Sequence, residues 1–230
     1  MIVGCGTPRA EASPEPTLAL HPVAPASLCV TRGAIAGRAI AEPTTRAFAA
    51  GSHGDGAQLA FTFGGDSEHV RELASGQLRR QLGLKLRAAD SCNVVYVMWR
   101  LDPHPELEVS VKRNPGKRTH DECGAEGYTK VRAAHAAAVP ALAAGESHVL
   151  RAEIRRSSRP GRYGEAGGDE LFAWIDGALA WRGELPAFAR ELSGPAGLRT
   201  DNVRLTALEL SAPRGEPEAC KPRQREDLDE

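Results

Sequence analysis

Aromatic residues make up only 5% of this 230-residue chain, and lysine is scarce beside arginine, 5 against 24. The net charge of −1 leaves no global basic field to attract nucleic acid or an anionic membrane surface. The five cysteines, Cys5, Cys29, Cys92, Cys123 and Cys220, include no close pair, which argues against a zinc or dithiol redox motif. No apolar run is long enough to cross a membrane as a helix. Helical periodicity is weak. Ala133–Ala144 is alanine-rich, but Pro140 interrupts it and leaves room for a turn or two, and Pro186–Leu192 could form another turn. A glycine-rich phosphate loop, a G-x-S-x-G elbow and a Cys–His pairing pattern are all missing.

What remains is a succession of short strand patterns. Leu28–Arg32 is brief. Leu59, Phe61 and Phe63 share one face of Gln58–Phe63. Leu82, Leu84 and Leu86 alternate with Gln81, Gly83, Lys85 and Arg87, as in a half-buried strand. Asn93–Leu101 is apolar on both faces and reads as a central strand. Leu107, Val109 and Val111 alternate, as do Leu150, Ala152 and Ile154. Leu171–Trp181 is the strongest local signal: Asp176-Gly177 between apolar runs predicts a hairpin with a type I′ turn. That turn sets Ile175 against Ala178, Trp174 against Leu179 and Phe172 against Trp181. Phe172, Trp174, Leu179 and Trp181 would then share a face that is either core or the wall of a groove. Val203 and Leu205 have one parity, Leu208 and Leu210 the other, which predicts a bulge in the last strand. Many short strands with few helices predict an all-β fold, an antiparallel two-sheet sandwich.

The N-terminal Ile2-Val3-Gly4-Cys5 resembles the lipobox of bacterial lipoproteins, although the charged and apolar regions that precede that motif are missing. The resemblance implies export, acylation of Cys5 and contact with a membrane through a lipid anchor only. Residues 1–26 would then be a truncated signal and a flexible Pro/Ala/Ser-rich tether, residues 27–213 the sandwich, and residues 214–230 a charged tail. If Cys5 is acylated, four cysteines remain, with three possible pairings. Cys29–Cys220 would join the ends of the sandwich and Cys92–Cys123 would clamp its central strands; four buried free thiols are the alternative.

His148-Val-Leu-Arg-Ala-Glu-Ile154, the Asp176-Gly177 hairpin and Gly194-Pro-Ala-Gly-Leu-Arg-Thr-Asp-Asn-Val203 together resemble the second half of a concanavalin A-like, laminin-G-like jelly roll. That superfamily includes lectins, adhesion modules, family 16 glycoside hydrolases and polysaccharide lyases. The resemblance implies a concave sheet face on which a polysaccharide or cell-envelope glycan lies. It does not imply catalysis, because no Glu-x-Asp-x-x-Glu strand is present. The leading expectation is a glycan- or envelope-binding protein. A lyase or hydrolase of the same fold and a structural or adhesion module that binds protein are the alternatives.

Sugar sites set flat aromatic rings beside polar groups. In so aromatic-poor a chain, Tyr96, Trp99, Arg100 and Trp174 are the binding candidates. Asp201-Asn202 is a Ca²⁺ candidate, with a plain turn as its alternative, and no other cofactor is expected. His120–Glu126 gathers acids, a histidine and Cys123, but contiguous residues seldom converge on one ion, so it reads as a solvated loop. Glu153, between Arg151 and Arg155, reads as part of a surface ion ladder.

Overall fold

The computed structural model describes residues 14–156, 168–216 and 218–220. Among them the chain forms an antiparallel two-sheet β-sandwich with seven strands in each sheet. The first sheet contains β1 (His21–Pro22), β4 (Gly56–Asp66), β9 (His135–Ala136), β10 (Ser147–Arg155), β11 (Glu170–Ile175), β12 (Ala178–Glu184) and β14 (Val203–Ala212). Their order is β1-β14-β4-β10-β11-β12-β9. The second contains β2 (Leu28–Arg32), β3 (Thr44–Ala49), β5 (Gln81–Leu86), β6 (Val94–Arg100), β7 (Glu106–Lys112), β8 (Tyr128–Lys130) and β13 (Gly197–Asp201), ordered β2-β3-β13-β5-β6-β7-β8.

The alternation in the sequence chooses the core. Leu59, Phe61 and Phe63 of β4 and Leu150, Ala152 and Ile154 of β10 face Leu82, Leu84 and Leu86 of β5 and Val95, Val97 and Trp99 of β6 in one continuous cluster. Burying each large aliphatic side chain contributes about 1.5–3 kcal/mol. The parity switch in the last strand is a bulge: the β14–β4 register shifts between Thr206 and Glu209, and Ala207 takes a positive φ of 49°.

Both disulfides expected from the sequence are present, Cys29–Cys220 and Cys92–Cys123. Two such bridges are the mark of an oxidising compartment. Cys5 lies outside the described residues. No helix among the described residues is long and apolar enough to cross a membrane.

Three local expectations of pairing and secondary structure differ from the structure. The hairpin turns at Asp176-Gly177, with φ of 50° and 83°. However, a register shift between Ala173 and Trp174 pairs Trp181 with Ala173 rather than Phe172. Trp181 therefore enters the core, while Phe172 and Trp174 lie on the opposite, outer face of β11. The alanine-rich stretch forms no helix; it contributes β9, and Pro140 follows in irregular chain. Finally, His120–Cys123 is a four-residue helix, closed by a capping box between Thr119 and Glu122.

The described part of the expected tether runs from Pro14 over the outer face of the first sheet and then joins that sheet, where His21–Pro22 pairs with β14 as β1. Glu153 is fully buried on that outer face rather than part of a surface ladder. It accepts the Thr17 amide at 3.0 Å and the Leu18 amide at 3.1 Å, and it pairs with Arg151 and Arg155. Gly56 makes the space: a side chain there would come within 2.8 Å of the Leu18 methyl.

Candidate functional site

The outer face of the second sheet concentrates the polar chemistry of the molecule. Its registers place residues in rows across the strands. One row runs Thr44–Asp201–Gln81–Arg100–Glu106. The next runs Arg46–Arg199–Gly83–Met98–Glu108, and the third Phe48–Gly197–Lys85–Tyr96–Ser110–Lys130. Gly83 and Gly197 carry no side chain in two of these rows, and the Met98 side chain packs over Gly83. A Cβ at either would stand 2.1 Å from the Val97 carbonyl or 2.2 Å from the Ala47 carbonyl.

Around these glycines, groups that ordinarily face water are buried. Lys85 is 5% exposed, Tyr96 3%, Arg199 7% and Asp201 0%. The Asp201 carboxylate receives Arg199 Nε at 2.7 Å, Gln81 Nε2 at 2.8 Å and Arg46 Nη2 at 3.3 Å. The Arg199 guanidinium lies 5.1 Å from the Tyr96 ring centre, and Tyr96 stacks on Tyr128 at 6.0 Å. The 44%-exposed Tyr128 brings this platform to the surface, and Lys112 Nζ lies 5.2 Å from its ring centre.

The field follows from this arrangement. Burial would raise the Asp201 carboxyl, but Arg199 and Arg46 outweigh it and hold the group below its ordinary value. Burial lowers the Lys85 ammonium to about 7, reinforced by Arg46 and Arg199 and opposed by Asp90. Burial, then Arg199 and Arg46, lowers Lys112 to about 8. Burial raises the Tyr96 phenol against the pull of Arg199.

The four sequence candidates do not converge. Tyr96 belongs to this face. Arg100 shares the face, but its guanidinium is bound to Glu106 and Glu108, each at 2.8 Å. Trp99 alternates inward and packs edge-on against Phe61 and His148 in the core. Trp174 lies on the outer face of the other sheet, stacked on Phe172, and donates its Nε1–H to the Pro14 carbonyl at 3.0 Å. Neither tryptophan can share a ligand with Tyr96.

The residues that surround Tyr96 were hidden in the sequence. Lys85 and Gln81 read as the wet side of a half-buried strand, and Arg46 lies in a strand too polar to be recognised. One signal was available: Arg199 and Asp201, two apart in a strand, must share a face.

The Asp201-Asn202 pair does not fit Ca²⁺. Asp201 already meets two guanidinium groups, and the Asn202 amide bonds to the Arg71 and Arg79 backbone. Among the described residues, no group of three or more His, Cys, Asp or Glu gathers as a metal site. A recess of about 470 Å³ lined by Pro22, Leu28, Arg38 and Leu210 lies apart from this face, with no residue in common.

No family model matches the chain, and no curated protein matches it. Several solved structures are similar. Galectin LEC-6 from Caenorhabditis elegans aligns at TM-score 0.39 and 10% identity, over 78% of this chain and 99% of that one. The metal-free carbohydrate recognition domain of Emp46p aligns at TM-score 0.43 and 11% identity, over 86% and 88%. The Crh5 transglycosylase in complex with NAG aligns at TM-score 0.41 and 11% identity, over 84% and 81%. At these values the likenesses carry no argument about function, and the functional reading rests on the site itself.

Proposed function

We propose that this protein binds a glycan of the cell envelope on the outer face of its second sheet, without catalysis, and that acylated Cys5 anchors it to a bacterial membrane. The observation that carries the reading is the stack of Arg199, Tyr96 and exposed Tyr128, surrounded by guanidinium, ammonium and amide donors. A sugar ring offers an apolar face to an aromatic platform and hydroxyls to the donors around it. The carboxylates of this face support a binding role. Asp201, Glu106 and Glu108 are each ion-paired to arginine or lysine, which leaves none of the three as a free acid or base.

One observation favours a second reading, a polysaccharide lyase: Tyr96 and Lys85 are cross-strand partners beside Arg46 and Arg199. These are the proton-carrying and charge-neutralising groups that an elimination needs. The test is a glycan array probed with the soluble domain, followed on every hit by assays for new reducing ends and new double bonds. Binding without either product, weakened at least tenfold by Tyr128→Ala, supports the binding reading. Chain cleavage with a new double bond moves the site to the lyase, and no bound glycan sinks both. Mass spectrometry of the native N-terminus tests the anchor, which an unmodified Cys5 would rule out.

A further inference from the structure

We infer that the ligand of this face is acidic, and that Arg46 and Lys85, beside Arg199, receive a carboxylate of its sugar residues. This rests on the glycan-binding reading and specifies the ligand's charge.

The argument begins with unequal charges. Three cationic side chains from three adjacent strands, β3, β5 and β13, face two carboxylates: Asp201, which binds the arginines, and Asp90, which attracts Lys85 without a hydrogen bond. Asp201 faces the two arginines and leaves Lys85 out. Among the described residues, Lys85 makes no side-chain hydrogen bond or ion pair, although it is 5% exposed. The Arg46 Nη1 atom is buried and has no acceptor either. Burying a charged donor without a partner costs several kcal/mol, so such groups are rare unless another role retains them. Here Arg46 Nη1 is such a group, as is Arg100 Nε on the same face, and Lys85, held close to Arg46, has no hydrogen-bond partner among the described residues.

The requirement is specific in sign and shape. Each unmet group donates, so the missing partner must accept, and the excess positive charge calls for an anion. A planar carboxylate can take Arg46 Nη1 on one oxygen and Lys85 Nζ on the other. A sugar ring carrying it would have the Tyr96–Tyr128 platform alongside. The neutral form of Lys85 supplies an acceptor only by giving up a proton, and it still leaves Arg46 Nη1 unmet. Lys112 does not compete for the ligand, because its ammonium already donates to the Gly124 carbonyl at 2.7 Å.

The experiment titrates the purified domain with three acidic polymers, polygalacturonate, alginate and hyaluronan. Each is paired with its carboxyl-reduced form, which keeps the backbone and loses the charge. Neutral dextran and xylan complete the panel. At least one acidic polymer is expected to bind tenfold or more tightly than its reduced form, the equivalent of one charge-assisted hydrogen bond. That affinity should fall as salt rises. Lys85→Met should lose about tenfold for the acidic polymer and nothing for the reduced one, and Lys85→Arg should restore binding. A thermal melt confirms that Lys85→Met is folded. Equal affinity for acidic and reduced forms, or binding to neutral glycans alone, overturns the inference and leaves the glycan reading standing. Failure of all three acidic polymers also overturns it, while the glycan array judges the broader reading.

Discussion

Lys85 on β5 and Tyr96 on β6 are cross-strand partners, buried side by side on the outer face of a sheet, where a lysine would ordinarily reach water. The groups that face Lys85 are Tyr96 from β6, Arg46 from β3, Arg199 from β13 and Asp90 at the sheet's end. Two of the four are cations, and the cluster is strained by its own charge.

That strain has a pH signature. The Lys85 ammonium ionises near 7 in the fold and near 10.5 in the unfolded chain, and Lys112 ionises near 8. Between those limits the unfolded state binds more protons, so stability rises with pH from about 7 to about 10.5. Lys85→Met removes the larger contribution. It should raise stability at pH 7 by roughly 2–4 kcal/mol and flatten the pH dependence. Urea denaturation at pH 7, 8, 9 and 10 measures both; a variant less stable than the parent at pH 7 would contradict the account.

Glu153 has the opposite sign. Burial pushes its carboxyl up, but the Thr17 amide, Arg151, Arg155 and the Leu18 amide outweigh burial and hold it below 4.5. Its contribution is fully present above 4.5 and is lost as pH falls through the folded value. Glu153→Gln leaves Arg151 and Arg155 without their anion and should cost about 3 kcal/mol at pH 7. Hydrogen exchange locates the effect: the Thr17 and Leu18 amides should lose protection before the core strands do. Unchanged protection there would mean that apolar contact alone holds the segment.

Much of the fold was legible because its strands obey a period of two. Leu82, Leu84 and Leu86, or Leu59, Phe61 and Phe63, name their faces without help. The Asp176-Gly177 turn and the parity switch in β14 were equally plain. The site was not legible, for two reasons. The Trp174 and Trp181 pattern is altered by a register shift that no local propensity announces, so rings that read as one face were split between core and surface. Burial of charge is also a tertiary property. Glu153 is covered by a segment more than 130 residues away, and Lys85 lies between strands from distant parts of the chain. The polar side of an alternating strand looks the same in sequence whether water or an arginine lies above it.

The Cys92–Cys123 bridge closes a segment with a sequence separation of 31 residues, from the turn just before β6 to the helix before β8. Restricting a loop of that size in the unfolded chain is worth about 3–4 kcal/mol. The paired change Cys92→Ala, Cys123→Ala should lower the denaturation free energy by that amount. Cys123 Sγ also lies 3.1 Å from Lys112 Nζ, so the same change should loosen the Lys112–Tyr128 contact and reduce glycan affinity. A pair variant that loses stability but retains full affinity would separate the bridge from the platform.

Gly83 tests whether the lack of a side chain there is a requirement of the fold. Its φ is not in the left-handed region, so the argument is one of space alone. A Cβ at 83 would stand 2.1 Å from the Val97 carbonyl oxygen and 2.8 Å from the Met98 Cα, and neither can yield without moving β6. β6 is the central strand of the cluster that carries Trp99 and Val97, so any movement spreads into the core. Gly83→Ala should therefore destabilise by about 1–3 kcal/mol, the usual range for overpacking. It should also weaken ligand binding beyond what the stability loss explains, because Arg199 and Met98 flank residue 83 in the same row. Denaturation and titration of one purified variant give both numbers. A variant as stable as the parent would show that β5 and β6 can part without harm and would remove the steric reason for glycine there.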